Sequence, residues 1–402
     1  MRLTLSTLAL LALLVVPCAA QTLLTGLEDI SKWQATGGAV VERSTDAHEG
    51  AACAKVTMPG QLSGRILDNY PPAAFDTAQG VSFWAKGDGS REWGCIALFG
   101  DGSNRSYSYC YFFPLSSTEW RKYDVPWADW IPEGAFTAIG TPGGLPPSGV
   151  QWLRLGTRWT ITFNNAQIAK HTYWVDEVRL EQSAPQPAAA PAPASLASVI
   201  TKLRDKKPVH ILCMGDSITA GTGLPDRDAQ RYATLLQAQL RQRLGYNEVY
   251  AESRAVGGAK VTDARAWVNR DFQGPAPDLV TTLYGYNDKS NLFSAQQFAD
   301  SLNDYYRRIC AVTGGKTAIL PLTTIPGAGP RFVMMDDFAQ VVRDVAGSWH
   351  ISYLDLGAAM KKIGREELLP YMGDMAHPNP SGHELMATVI ADYLVQQVEA
   401  AK

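Results

Sequence analysis

The chain has 402 residues, of which 46% are hydrophobic, and this is enough for two or three domains with apolar cores. Its 36 basic and 39 acidic residues leave a net charge of −3, so nothing favours binding to the phosphate backbone of a nucleic acid. After the N-terminal segment, no apolar stretch reaches the roughly 20 residues that span a bilayer. We therefore expect neither a nucleic acid nor a membrane as partner, and the sequence gives no oligomeric state.

The N-terminus has the pattern of an export signal. Arg2 supplies a positive start, Leu8 to Val16 an apolar centre, and Cys18-Ala19-Ala20 a small-residue cleavage site. We predict a signal peptide over residues 1–20 and a mature protein that is secreted or periplasmic. The alternative is an uncleaved membrane anchor.

Removal of this segment leaves five cysteines, so at least one is free or pairs between chains. Export permits disulfides. Cys95 and Cys110 lie in neighbouring strand-like runs and are a candidate pair, which would close a loop of about 15 residues and stabilise the fold by roughly 3 kcal/mol. Cys213 lies inside an apolar run and is expected to be a small core residue.

Residues 21–182 show an all-β pattern. Short runs rich in aromatic and β-branched residues are separated by glycine-containing turns such as Gly87-Asp88-Gly89. The strand candidates are Val81–Lys86, Cys95–Phe99, Tyr107–Tyr111 and Trp174–Leu180. Such strands without helical periodicity predict a β-sandwich or jelly roll.

Tryptophan is concentrated in this β region. Most of these side chains are expected in the core, because aromatic residues bury large areas; the alternative is a face that stacks on sugars. The arrangement resembles jelly-roll carbohydrate-binding modules, although the resemblance names no binding residue. The tryptophans before the linker are Trp33, Trp84, Trp93, Trp120, Trp127, Trp130, Trp152, Trp159 and Trp174.

Residues 183–194 are rich in proline and alanine and predict an extended, semi-rigid linker. Over residues 195–402, strand and helix patterns alternate, which predicts a parallel sheet with helices on both faces. One helix is expected over Tyr232–Leu244, ended by Gly245, and another is opened by a capping box at Ser294-x-x-Gln297. The strand candidates are His210–Met214, Leu279–Tyr284, Thr317–Leu322 and Ile351–Leu356.

The first of these strands leads directly into Gly215-Asp216-Ser217. Ligands of open α/β sheets bind at the carboxyl ends of the strands. A serine at that position can be a nucleophile, provided that a base takes its proton. The same tripeptide is also ordinary turn chemistry, in which Asp216 caps a helix and Ser217 is solvated.

A candidate base lies near the C-terminus, in Asp374-Met375-Ala376-His377-Pro378. His377 would act first as general base and then as general acid, and Asp374 would fix its tautomer. The alternative for Asp374 is a plain turn aspartate. A second histidine, His383, is expected within the last helix in a structural role.

Four blocks along the chain resemble the SGNH (GDSL-type) hydrolase superfamily. They are Gly215-Asp216-Ser217-Ile218-Thr219, Gly257-Gly258, Gly285-Tyr286-Asn287-Asp288 and Asp374-x-x-His377-Pro378. The resemblance covers about residues 209–394. It implies a flavodoxin-like, three-layer α/β/α domain that hydrolyses esters through an acyl-serine intermediate, without a metal or other cofactor, with Ser217, His377 and Asp374 as catalytic residues.

The resemblance also implies three donors for an oxyanion: the backbone N–H groups of Ser217 and Gly258, and the side-chain amide of Asn287. Glycine suits the second position because it lets the backbone approach a ligand closely. Gly257 is an alternative to Gly258, because this block aligns in more than one register.

Other chemistries fit the sequence less well. No histidine or cysteine cluster has metal-ligand spacing, the glycine pair lacks the ending of a phosphate-binding loop, and no glycosidase carboxylate pair stands out. The export signal, the tryptophan-rich β region and the linker favour a polysaccharide substrate, and the superfamily includes esterases that deacetylate plant cell-wall sugars. We therefore expect a secreted acetylxylan esterase-like enzyme acting on an acetylated polysaccharide or oligosaccharide. The alternatives are a lipase or lysophospholipase-type esterase and a carbohydrate-binding protein with an inactive hydrolase domain.

Overall fold

A computed structural model describes residues 22–59, 66–69, 75–101, 106–134, 137–156, 169–183 and 189–401. The predicted signal peptide, Trp159 and the central part of the predicted linker lie outside the described residues. Across those ranges, no helix combines the length and the apolar character that a membrane crossing requires.

The N-terminal half is a β-domain of two antiparallel sheets. Its strands are β1 (Thr22–Thr25), β2 (Gln34–Ala35), β3 (Val40–Ser44), β4 (Cys53–Met58), β5 (Ile66–Asn69), β6 (Gly80–Gly87), β7 (Trp93–Asp101), β8 (Ser106–Pro114), β9 (Arg121–Pro126), β10 (Ile131–Pro132), β11 (Trp152–Leu155) and β12 (His171–Glu181). Sheet I has the order β3-β4-β12-β6-β9, with β1 also paired to β12, and sheet II has the order β10-β8-β7-β11-β5-β2.

The two sheets share one apolar core. Phe83 and Val175 of sheet I and Leu98, Tyr109 and Leu153 of sheet II all belong to a single buried cluster. The predicted strands around residues 83, 97, 109 and 177 are confirmed. The jelly-roll connectivity stays a prediction.

The C-terminal half is an α/β domain. Its strands are β13 (Val209–Gly215), β14 (Val249–Ser253), β15 (Leu279–Leu283) and β16 (Ala318–Pro321). Its helices are α1 (Leu196–Arg204), α2 (Ser217–Ala220), α3 (Arg227–Gln230), α4 (Tyr232–Leu244), α5 (Val261–Asp271), α6 (Tyr286–Ser290), α7 (Ala295–Thr313), α8 (Arg331–Met334), α9 (Asp336–Ser348), α10 (Leu356–Ile363), α11 (Arg365–Leu368) and α12 (Pro380–Ala400). All pairs in the sheet are parallel, in the order β14-β13-β15-β16.

Helices cover both faces of this sheet, as expected. Side chains alternate along β13: Ile211 and Cys213 join a cluster with α1, α4 and α12, whereas Leu212 and Met214 join one with α5, α7 and α9. This alternation follows from the two-residue period of a strand. The strand order is that of a flavodoxin-like sheet, in which ligands bind where the order reverses, between β13 and β15.

Two predicted helix boundaries are confirmed. Helix α4 ends at Gly245, which has left-handed backbone angles, and α7 begins with the capping box of Ser294 and Gln297. The predicted strand Ile351–Leu356 is wrong. Only Leu354 pairs there, through one parallel bridge to Leu322, because Asp355 caps α10 immediately afterwards.

The Cys95–Cys110 disulfide is also wrong, since both thiols are free. In the register of β7 and β8, Cys95 lies opposite Phe112 and Cys110 opposite Ala97. The cysteines are therefore diagonal neighbours, about 7–8 Å apart, whereas a disulfide needs Cβ atoms roughly 4 Å apart. Cys213 is a buried core residue, as predicted.

The β-domain packs directly against the α/β domain. On the outer face of sheet II, Cys110 and Ile131 pack with Ala266 of α5. Arg308 of α7 donates to the Asp129 carboxylate at 2.9 Å and to the Ala128 carbonyl at 3.1 Å. The end of the predicted linker is packed as well, because Ala194 forms a parallel bridge with Ala318. The domain boundaries stay a prediction.

Candidate active site

Ser217 lies at the carboxyl end of β13, as the first residue of α2. Asp216 caps this helix: its Oδ1 accepts a hydrogen bond from the backbone N–H of Ile218 at 2.9 Å. Gly215 permits the tight passage from strand to helix, because a Cβ there would lie 2.1 Å from Oγ1 of Thr219. The capped turn therefore fixes Ser217 at the edge of the sheet.

A chain of hydrogen bonds joins Ser217 to the C-terminal turn. Its Oγ lies 2.9 Å from Nε2 of His377, and Nδ1 of His377 lies 2.8 Å from Oδ2 of Asp374. Because a carboxylate only accepts, Nδ1 carries the proton and Nε2 is the acceptor that faces the serine hydroxyl. The fold thus brings together the serine, histidine and aspartate that the sequence analysis selected.

Backbone hydrogen bonds hold Asp374. Its Oδ1 accepts from the N–H groups of Ala376 and His377, each at 2.7 Å. Burial alone would raise the pKa of Asp374, but the bonds from Ala376, from the His377 ring and from the His377 amide outweigh it and leave the pKa below its usual value. The carboxylate therefore stays ionised beside the imidazole.

His383, the other histidine of this region, does not contact Ser217. It is fully buried in α12, where Nδ1 accepts from the backbone N–H of Tyr232 at 3.2 Å. Burial, together with the charges of His377 and Arg231, lowers the pKa of His383 to about 4. Its position is that of a neutral structural histidine.

The three predicted oxyanion donors follow three neighbouring strands, with Ser217 after β13, Gly258 after β14 and Asn287 after β15. Gly258 has φ +79°, and a Cβ there would meet no atom within 4 Å, so its backbone borders open space. Nδ2 of Asn287 donates to Oδ2 of Asp216 at 3.2 Å and to the Ala259 carbonyl at 3.1 Å. Both amide hydrogens thus point at protein oxygens, and an oxyanion must share or replace one of them. The oxyanion roles stay a prediction.

Two buried carboxylates support the nucleophile side of the site. Burial raises the pKa of Asp216 to about 7, and that of Asp288 also to about 7. Oδ1 of Asp288 accepts from the backbone N–H of Val261, the first residue of α5, at 3.0 Å. Asp288 thereby ties α6 to the helix that follows the glycine block, a role that sequence reasoning did not assign.

The turn over residues 374–378, called the catalytic turn for the role predicted for His377, has a further support that sequence reasoning missed. The Met375 carbonyl accepts from Oη of Tyr286 at 3.3 Å and from the backbone N–H of Ala328 at 3.1 Å. These contacts join the first residue of α6 and the loop before α8 to the turn that carries His377. Because the acceptor is a main-chain carbonyl, no residue type signals the contact.

The tryptophans divide into two groups. Of those before the linker, three are buried and the other described ones are partly exposed. The buried ones, consistent with the expected core role, are Trp33, Trp127 and Trp130, and the partly exposed ones are Trp84, Trp93, Trp120, Trp152 and Trp174.

Side chains of His48 and Lys86 contact three of the partly exposed tryptophans. Trp84 and Trp174 alternate with core residues and so lie on the outer face of sheet I. The His48 ring stacks 3.6 Å from that of Trp84, and the Lys86 ammonium lies 5.3 Å from the Trp120 ring and 5.0 Å from that of Trp174. Sugar stacking on this face stays a prediction. In the described ranges, no group of three or more His, Cys, Asp or Glu side chains could hold a metal ion.

The chain is similar to known hydrolases over its C-terminal half. Residues 213–385 match the GDSL-like lipase/acylhydrolase family. Over 209 residues the chain is 26% identical to an acetylxylan esterase of Xylanibacter ruminicola, a match that covers 46% of this chain and 42% of that protein. The chain thus spans less than half the length of this relative.

Solved structures give similar matches. A two-domain esterase active on acetylated mannans is 20% identical, with a TM-score of 0.42, over 53% of this chain and 56% of that one. An acetylxylan esterase from Geobacillus stearothermophilus is 21% identical, with a TM-score of 0.38, over 47% of this chain and 94% of that one. From the family match and its order of motifs, the C-terminal half of this chain is a GDSL/SGNH hydrolase domain.

Proposed function

We propose that this chain is a serine esterase, a carboxylic ester hydrolase that uses Ser217 as nucleophile. The observation that carries the proposal is the continuous hydrogen-bond chain from Ser217 Oγ through His377 to Asp374, with distances of 2.9 and 2.8 Å. A serine hydroxyl is a weak nucleophile until a base removes its proton, and Nε2 of His377 is within reach of that proton. The ionised Asp374 stabilises the imidazolium that forms.

The reaction then has two steps. In the first, Nε2 of His377 takes the hydroxyl proton while Oγ of Ser217 attacks the ester carbonyl, and the same proton passes to the departing alcohol. In the second, His377 takes a proton from water, whose oxygen attacks the acyl carbon; the bond from that carbon to Oγ of Ser217 breaks, His377 returns the proton to Oγ, and the carboxylic acid is released. Donors from Ser217, Gly258 and Asn287 stabilise the oxyanion in both steps.

The proposed substrate is an acetylated plant cell-wall polysaccharide. The similarity to an acetylxylan esterase supports an acetyl group on a sugar, and the export pattern of residues 1–20 supports a polymer outside the cell. The protein is therefore proposed to act as a secreted or periplasmic carbohydrate acetylesterase.

The test is acetate release from acetylated xylan by the mature protein and by Ser217→Ala. We expect the substitution to lower kcat by at least about 10³-fold without changing the unfolding midpoint. Ser348→Ala, at the exposed end of α9, is the matched control. Equal rates for wild type and Ser217→Ala would contradict the serine mechanism.

An acyl-length series separates the proposal from a lipase. Aryl esters of acetate, butyrate and octanoate present the same leaving group with growing apolar chains. We expect kcat/KM to fall from acetate to octanoate. A rise along the series would contradict the acetylesterase and favour the lipase alternative, and a folded protein inactive on every ester would favour the carbohydrate-binding alternative.

A further inference from the structure

In the described part of the chain, Arg331 is a cation without a carboxylate partner, and it contacts Tyr286 beside the turn that carries His377. It opens α8, and its guanidinium carbon lies 5.1 Å from the centroid of the Tyr286 ring. Its Nη1 donates to Oγ of Ser290 at 2.7 Å. Among the residues that the structure describes, no Asp or Glu oxygen forms an ion pair with it within 4.0 Å. The guanidinium is only partly buried.

Four other cations of this domain are paired with carboxylates. Lys289 pairs with Asp337 at 2.5 Å, and Lys260 pairs with Asp263 at 2.8 Å. Further along the chain, Lys361 pairs with Asp336 at 2.7 Å and Arg343 with Asp355 at 2.8 Å. Arg331 therefore differs from these four in having no carboxylate of the described residues within 4.0 Å.

Close contacts connect Arg331 to the catalytic turn. The ring on which it stacks belongs to Tyr286, whose hydroxyl donates to the Met375 carbonyl at 3.3 Å. A Cβ added to Gly327 would lie 3.0 Å from both of those oxygens and 2.9 Å from Cβ of Arg331. Arg331 thus contacts Tyr286, which in turn contacts Met375 in the segment that carries His377.

Asp374, the acid of the catalytic turn, does not neutralise this charge. Its oxygens accept from the His377 ring and from two backbone N–H groups. A guanidinium presents five donors in a planar fork that matches a carboxylate in two-point contact. Arg331 uses part of this donor set on Oγ of Ser290 and on the Tyr286 hydroxyl, and its remaining N–H donors are left for a further acceptor.

We propose that Arg331 binds a carboxylate of the substrate, so that the preferred substrate is an acylated polysaccharide bearing uronic acid residues near the ester. This inference rests on the proposed function. Arg331 is then a specificity-determining residue: it favours polymers that place a negative sugar beside the scissile acetyl group.

The test compares one polymer with and without its charge. A glucuronate-bearing xylan and the same xylan after carboxyl reduction are acetylated to the same degree, and kcat/KM for acetate release is measured on both. We expect the wild type to prefer the acidic polymer by about fivefold to tenfold, since partly exposed ion pairs have modest energies. The preference should shrink when salt rises from about 20 mM to about 500 mM, because salt screens exposed charges.

Three variants identify the responsible group. Arg331→Gln should bring the acidic-to-neutral ratio close to one, and Arg331→Lys should keep part of it. Arg243→Gln removes an arginine that pairs with Asp392 at the far end of α4, and it should keep the wild-type ratio.

The outcomes are distinct. A wild-type ratio of one, or a ratio that survives in Arg331→Gln, would overturn the role of Arg331 and leave the proposed esterase function standing. Release of acetate from neither polymer would overturn the proposed polysaccharide substrate and this inference with it. Loss of the ratio in Arg331→Gln alone is the result that supports the inference.

Discussion

Aspartates on the two sides of the candidate site, near Ser217 and near His377, have pKa values shifted in opposite directions. On the nucleophile side, Asp216 and Asp288 are buried, and burial raises the pKa of each to about 7. On the base side, the Asp374 side chain is 57% exposed, and three hydrogen bonds leave its pKa below the usual value despite partial burial. Burial determines the pKa of Asp216 and Asp288, whereas hydrogen-bond donors aimed at the carboxylate determine the pKa of Asp374. Two buried aspartates with raised pKa values therefore lie on the Ser217 side, and an ionised, largely exposed aspartate contacts His377 on the other side.

The largest effect should come from the charge of Asp374. In Asp374→Asn, Oδ1 still accepts from Ala376 and His377, so the turn keeps its backbone bonds. The amide no longer stabilises a positive imidazole or selects its tautomer, and we expect kcat on an aryl acetate to fall by about 10³–10⁴-fold. Thermal unfolding should change little.

Asp344→Asn, on the exposed face of α9, is the control for removal of one surface charge. A loss of less than tenfold in Asp374→Asn would show that the ionised aspartate does not orient the imidazole. The difference in ionisation between Asp374 and the buried Asp216 and Asp288 would then not contribute to catalysis.

Asn287→Ala tests whether the nucleophile side supplies an oxyanion donor or only a buried support. If Nδ2 turns from Asp216 or Ala259 toward the oxyanion, its removal should lower kcat by about 10²–10³-fold. Asn303→Ala, which removes an amide that holds Trp349 at 2.8 Å, is a structural control. A variant with kcat within a few fold of wild type and a lowered unfolding midpoint would assign Asn287 to support alone.

Sequence reasoning reached those site residues whose chemistry is carried by residue type. Ser217, His377 and Asp374 are recognisable because the residue types of a candidate nucleophile, base and orienting acid lie on local turn patterns, and the structure brings the three side chains together. Helix boundaries marked by caps, such as Gly245 and Ser294, were predictable for the same reason.

The rest depended on long-range pairing. The spacing of Cys95 and Cys110 in the sequence does not show whether they lie directly opposite or diagonally across the two strands, because that depends on the strand register. The apolar run at Ile351–Leu356 could be a strand or the approach to a helix, and the cap at Asp355 decided for the helix. The Met375 carbonyl, a backbone acceptor, joins its own turn to the start of α6 and to the loop before α8. Such contacts cannot be predicted from residue types, because every residue has a main-chain carbonyl.

The smallest predicted effect is a pH dependence of stability, which comes from the buried side. Asp288 has a folded pKa of about 7, above the roughly 3.9 of an unfolded aspartate. In the folded protein, Asp288 therefore stays protonated to a higher pH than in the unfolded chain. The stabilising contribution is complete below about pH 4 and is lost as pH rises through about 7, at about 1 kcal/mol per pH unit between those values.

Asp288→Asn removes this titration while keeping an oxygen that can accept from Val261. In urea unfolding at pH 5, 6, 7 and 8, the variant should gain stability relative to wild type as pH rises, until the difference levels off above pH 7. Asp374 has the opposite sign: its lowered pKa contributes stability above the unfolded value that is lost only as pH falls, so Asp374→Asn should not reproduce the gain. Parallel pH profiles for wild type and Asp288→Asn would mean that Asp288 is ionised in the folded protein, held by its bond to Val261 as Asp374 is held by its own donors.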